Sequence, residues 1–122
     1  MKWVNSFIII GYGITLFFWL SAEDNGWIVA ALGAILGLLM TVRIATQWEQ
    51  CRAAFWFYPL FGALAGALGM AGTLLLMLIK TSIHGHLYPD YPFLLMVAFA
   101  TRLPAWIAAG ALLGTAVALA RQ

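Results

Sequence analysis

The sequence predicts an all-α membrane protein: four transmembrane helices in one up-down bundle, with both termini in the cytoplasm. Three observations carry this expectation. Of 122 residues, 65% are hydrophobic and 8% charged, and mean hydropathy is +0.98. A water-soluble domain carries about 25% charged residues, so this chain has too little polar surface to face water. Second, four apolar stretches, at about residues 3–22, 26–46, 53–79 and 93–119, each reach the roughly 20 residues needed to cross a hydrocarbon core of about 30 Å. Third, the basic residues flanking these stretches are unevenly shared. With both ends on one side, Lys2, Arg43, Arg52 and Arg121 fall there, and only Lys80 falls opposite, alongside Glu23, Asp24 and Asp90. Basic flanks stay in the cytoplasm.

The length allows a single domain. The first stretch runs from Trp3 to Ala22. Lys2, the apolar run from Phe7 to Leu20 and the pair Ser21-Ala22 also fit a secretory signal peptide. Leu20 occupies a position where a small residue is preferred, so a retained helix is expected. The second stretch, from Gly26 to Thr46, follows a tight link over residues 23–25. The third, from Ala53 to Ile79, carries Pro59 near its start; if the helix begins just before the ring, the missing N–H matters little, and otherwise a kink follows. The fourth runs from Phe93 to Leu119, with Pro104 well inside it. That ring obstructs the Ala100 carbonyl and bends the helix beside Arg102. Trp3, Trp48 and Trp56 mark the inner interface, and Trp19 and Trp27 the outer one.

Lipid tails are as apolar as Leu, so helix association depends on close packing. Gly33 and Gly37 are spaced for it in the second helix, and Gly110 and Gly114 in the fourth. The third is densest: Gly62, Ala65, Gly66, Gly69 and Gly72 share one face. This helix is expected at the centre of the bundle. A face left over would dock another subunit.

Arg102 is the one charge deep in an expected span. Insertion of Arg costs about 2.5–3.5 kcal/mol, so it should meet protein, water or an anion. It lies roughly 14 Å in from Phe93 at 1.5 Å per residue and can snorkel toward the outer surface. Glu23, Asp24 and Asp90 are its expected partners. The sharper alternative is an anchor for an anion, a lipid phosphate or a cofactor carboxylate.

Both histidines lie in the expected loop over residues 80–92. In extended chain His84 and His86 point the same way, and with Asp90 they offer three metal ligands. An interfacial loop shaped by Pro89 and Pro92 is the plainer reading.

Several function classes fall away. No histidine lies inside an expected helix, so no bis-His haem site is available from this chain. No carboxylate lies mid-membrane to carry coupled protons or cations. The net charge of +2 is scattered, so no nucleic acid is expected, and one cysteine cannot make an intrachain disulfide. Small multidrug transporters share this size and span number but carry a Glu in the first helix, which here offers only Asn5, Ser6, Tyr12 and Thr15. The expected role is a non-catalytic membrane subunit or accessory protein, acting through in-membrane contacts as a homo-oligomer or within a larger complex. The expected location is a plasma membrane of the bacterial inner-membrane kind. The alternatives are a small oligomeric channel or transporter using Arg102, and a metal-dependent membrane enzyme using His84 and His86.

Overall fold

The computed structural model describes residues 2–21, 26–84 and 91–121, with Leu20, Ser21 and His84 described in their backbone alone. The described residues fold into helices α1 (Lys2–Ser21), α2 (Trp27–Thr46), α3 (Phe57–His84), α4 (Phe93–Ala100) and α5 (Leu103–Ala120), with a 3₁₀ turn at Glu49–Cys51. Four of them, α1, α2, α3 and α5, are long and apolar enough to cross a membrane.

The expected fourth helix is therefore two helices. Pro104 lies in the first turn of α5 and has no N–H to offer the Ala100 carbonyl. The Arg102 N–H bonds Phe99 O at 3.0 Å, a tighter 3₁₀-type bond, and the Thr101 hydroxyl bonds Ala98 O at 2.7 Å in its stead. Arg102 has φ −88° and ψ 3°, the sparsely used bridge region of backbone space. Proline thus does more than bend this helix; it ends one and starts another.

The third helix is also displaced from its expected 53–79. It starts at Phe57, because the chain before it turns through Cys51, Ala54 and Phe57 by short-range bonds. Pro59 then falls in the first turn, where its missing N–H does no harm. The helix continues to His84 for 28 residues, about 42 Å at 1.5 Å per residue. That is longer than the roughly 30 Å of a hydrocarbon core.

Helix α3 holds α2 on one flank and α5 on another. Gly33 meets Thr73 and Gly37 meets Gly69, so α2 runs antiparallel to α3. Gly114 meets Tyr58, Gly110 meets Gly62, and Gly66 meets Trp106, so α5 is antiparallel too. The approach is backbone to backbone. A Cβ on Gly62 would overlap the Gly110 carbonyl oxygen, and one on Gly110 would overlap that of Gly62. Each glycine Cα–H thus faces a carbonyl of the other helix, a weak recurring contact at helix interfaces. Gly69 lies between Ala34 and the Trp106 ring. Gly33, Gly37, Gly62, Gly66, Gly69, Gly72, Gly110 and Gly114 each face atoms of another helix within the molecule.

The side-chain core lies toward the far end of α3, where Trp19, Val29, Leu32, Leu76, Met77 and Tyr91 are buried together. Helix α1 joins the rest here, through Trp19, Leu16 and the Tyr12 hydroxyl, which donates to Leu32 O at 2.7 Å. Gly26 opens α2 at φ +97°, a left-handed conformation that suits glycine. Trp19, expected at the outer interface, is buried in this core.

Candidate functional site

Arg102 stands at the break between α4 and α5, exposed, with its guanidinium carbon 5.8 Å from the centroid of the Phe99 ring. A cavity of about 400 Å³ opens beside it, lined by Gly26, Trp27, Phe99 and Trp106. Its expected partners Glu23, Asp24 and Asp90 lie outside the described residues. Arg102 lines this cavity from the break itself, as the residue just before α5 begins.

His84 lies outside the extended loop expected of it. His84 is the last residue of α3. His86 and Asp90 lie outside the described residues. Among the described residues there is no group of three His, Cys, Asp or Glu side chains that could hold a metal.

Two clusters went unnoticed in the sequence. Lys80 is 2% exposed, with its ammonium 4.6 Å from the Trp19 ring centroid and 5.8 Å from that of Tyr91. A signal for it existed: Lys80 follows Thr73, Leu76 and Met77 on the buried face of α3 at helical spacing. At the opposite end, Arg121 donates from Nη1 to the Tyr58 hydroxyl, and its guanidinium carbon lies 5.3 Å from the Tyr58 ring centroid. Arg52 pairs with Glu49 at 3.8 Å, both side chains about half exposed or more. Arg52, Tyr58 and Arg121 line one cavity of about 410 Å³. The same three residues end a second, apolar one of about 460 Å³ between α2 and α5. Arg52 and Arg121 are 69 positions apart in sequence, so only the pairing of α3 with α5 brings them together.

These two ends differ in what they can do. The Lys80 end is a closed contact, suited to fixing helices. The Arg52–Arg121 end is open, cationic and continuous with apolar space, suited to holding an anion that carries an apolar tail. Compared with protein-family models, curated proteins and solved structures, the chain matches none of them.

Proposed function

We propose that this chain is a non-catalytic integral membrane subunit or accessory protein. In this reading it crosses the bilayer four times, keeps both ends in the cytoplasm, and acts through helix contacts in the plane of the membrane. The partner is a second copy or a larger membrane complex. One observation carries the reading. Unlike the glycines of α2, α3 and α5, Gly11 and Gly13 of α1 have nothing within 4 Å of a Cβ built on them. Around them Phe7, Phe17 and Phe18 are exposed. Small residues among large apolar ones are what a neighbouring helix packs against in lipid.

The orientation draws support from the basic residues: Arg52 and Arg121 line one cavity, while Lys80 belongs to the other end of α3. The test is extraction of tagged protein from its own membrane in mild detergent. Wild type should carry a stable partner, seen as a dimer or a co-purified membrane protein. The double variant Gly11→Leu/Gly13→Leu should lose it and keep its melting temperature. A wild-type monomer without any membrane partner would refute the reading.

A second reading has its own observation, the exposed Arg102 at a helix break beside a cavity bearing Trp27 and Trp106. That is a place for an anion in a small channel or transporter. Anion flux in proteoliposomes, abolished by Arg102→Ala, would favour it over the first.

A further inference from the structure

We propose that the trough between α2 and α5 holds an acyl chain of an anionic phospholipid, with the lipid phosphate against Arg52, Arg121 and Tyr58. Both α2 and α5 pack on α3, and between them an open apolar space of about 460 Å³ remains. Leu38 and Val42 form one wall, Leu113 and Val117 the other. The floor is shallow-sided because Gly62 and Ala65 present almost no side chain. A further cavity of about 380 Å³ shares Leu38, Ala65, Gly110 and Leu113 with it and extends the trough along the helices.

The chemistry changes at one end. Arg52 and Arg121 come from segments far apart in sequence, yet both line the mouth cavity and the trough. Arg121 spends one N–H on the Tyr58 hydroxyl, which leaves it four others. Tyr58 accepts in that bond, so its own O–H remains to donate. The Arg52–Glu49 contact is long, exposed and only three residues apart, the kind of ion pair that adds little. Two guanidinium forks and a phenol at one mouth suit a phosphodiester, whose oxygens accept paired N–H donors.

Charge decides the occupant. A second copy in the same bilayer and orientation would bring its own Arg52 and Arg121 to the same depth, and four guanidinium groups would repel. A lipid of the cytoplasmic leaflet brings the opposite charge to that level, and basic pockets between helices on this side bind anionic head groups. Free phosphate would use the mouth and leave the trough unexplained. The inference rests on the membrane-spanning part of the proposed function. That part is checked separately, by resistance of the protein to alkaline extraction from its membrane.

The experiment is native mass spectrometry of delipidated protein in detergent, titrated with phosphatidylglycerol or phosphatidylcholine of identical acyl chains. Phosphatidylglycerol should bind about thirtyfold more tightly, as expected for two basic residues at a charged surface. Arg52→Gln/Arg121→Gln should bring the two lipids to within about twofold. Ala65→Leu, which fills the trough from its floor, should weaken both lipids while circular dichroism and melting hold. Excess inorganic phosphate should leave the lipid bound. Equal binding of the two lipids by wild type would overturn the proposal. So would displacement by phosphate together with indifference to Ala65→Leu, which would reduce the mouth to a plain anion site. A dimer that tightens in the Arg52→Gln/Arg121→Gln variant would overturn it too, by making a second copy the occupant. Failure of alkaline extraction resistance, by contrast, would strike the membrane-spanning reading itself.

Discussion

The Lys80 ammonium lies 4.6 Å from the centroid of the Trp19 ring, so a cation near the end of α3 is packed on an aromatic face at the end of α1. Tyr91, just before α4, adds a second ring at 5.8 Å. Three segments distant in sequence are tied at one point. A desolvated contact of this type contributes about 2 kcal/mol. Lys80→Met should lower the unfolding free energy in detergent by about 1–2 kcal/mol, and Trp19→Leu by more, about 2–4 kcal/mol, because it also empties part of the core. Their double variant should show a coupling of about 1–2 kcal/mol, well above the additivity error expected of independent sites. Additive effects would mean that the ring and the ammonium are neighbours without being partners.

The glycines make a sharper contrast. A Cβ at Gly37 would strike the Gly69 backbone, and one at Gly62 the Gly110 carbonyl. Backbone cannot yield as a flexible side chain does, so Gly37→Ala and Gly62→Ala should each destabilise by about 1–3 kcal/mol or more. Gly11→Ala meets open space and should stabilise α1 by up to about 1 kcal/mol through helix propensity alone. Reversible unfolding in mixed micelles reads all three. Equal losses at Gly11 and Gly62 would contradict the packing described.

What the sequence made legible follows from which signals are local. Span length and hydropathy are properties of a segment, and α1 and α2 lie close to their expected bounds. Small-residue spacing is a property of one helix face, which is why α3 could be placed between its neighbours before any contact was known. The break at Arg102 was visible only in part: Pro104 announced a distortion, but the competition between bending and restarting is settled by where the Thr101 hydroxyl and the Arg102 N–H find acceptors. Lys80 escaped because its charge outweighed its position; a flanking lysine reads as a topology marker, and its burial depends on Trp19 arriving from another helix. The Arg52–Arg121 mouth escaped for the same reason, since Arg52 has only Glu49 as a partner within its own segment and the other side of the mouth arrives with Arg121 from α5.

Restoring an N–H at position 104 should repair the break. In Pro104→Ala the Ala100 carbonyl regains a donor, the cost of proline inside a helix disappears, and α4 and α5 should approach one continuous helix. Leu94 and Leu112 are both well exposed on either side of the break, so spin labels there leave the packing alone. The distance between them, measured by pulsed electron resonance, should lengthen and its distribution narrow. An unchanged distance would place the cause of the break in tertiary contacts of Trp106 instead of in the proline.

Cys51 is the chain's one cysteine, free and half-buried in the 3₁₀ turn between α2 and α3. It needs no engineering to report topology. A membrane-impermeant maleimide should label it from the cytoplasmic face of sealed vesicles and leave it untouched from the other. Labelling from the opposite face would invert the orientation read from the basic residues, and with it the leaflet that supplies the anionic lipid.

Arg102 separates a structural role from a transport role. Its side chain is exposed, and the contact found among the described residues is the Phe99 ring at 5.8 Å. Exposed contacts of this kind contribute about 0.5–1 kcal/mol. Arg102→Gln should therefore shift the unfolding free energy by no more than about 1 kcal/mol, and the α4–α5 break should survive, since Thr101 and Pro104 make it. A loss several times larger would show that the guanidinium is held by a strong carboxylate partner, as Glu23, Asp24 or Asp90 would supply. A small loss accompanied by a large fall in anion flux would assign Arg102 to a conduction path, because a residue that matters to transport without mattering to the fold is acting on what passes by it.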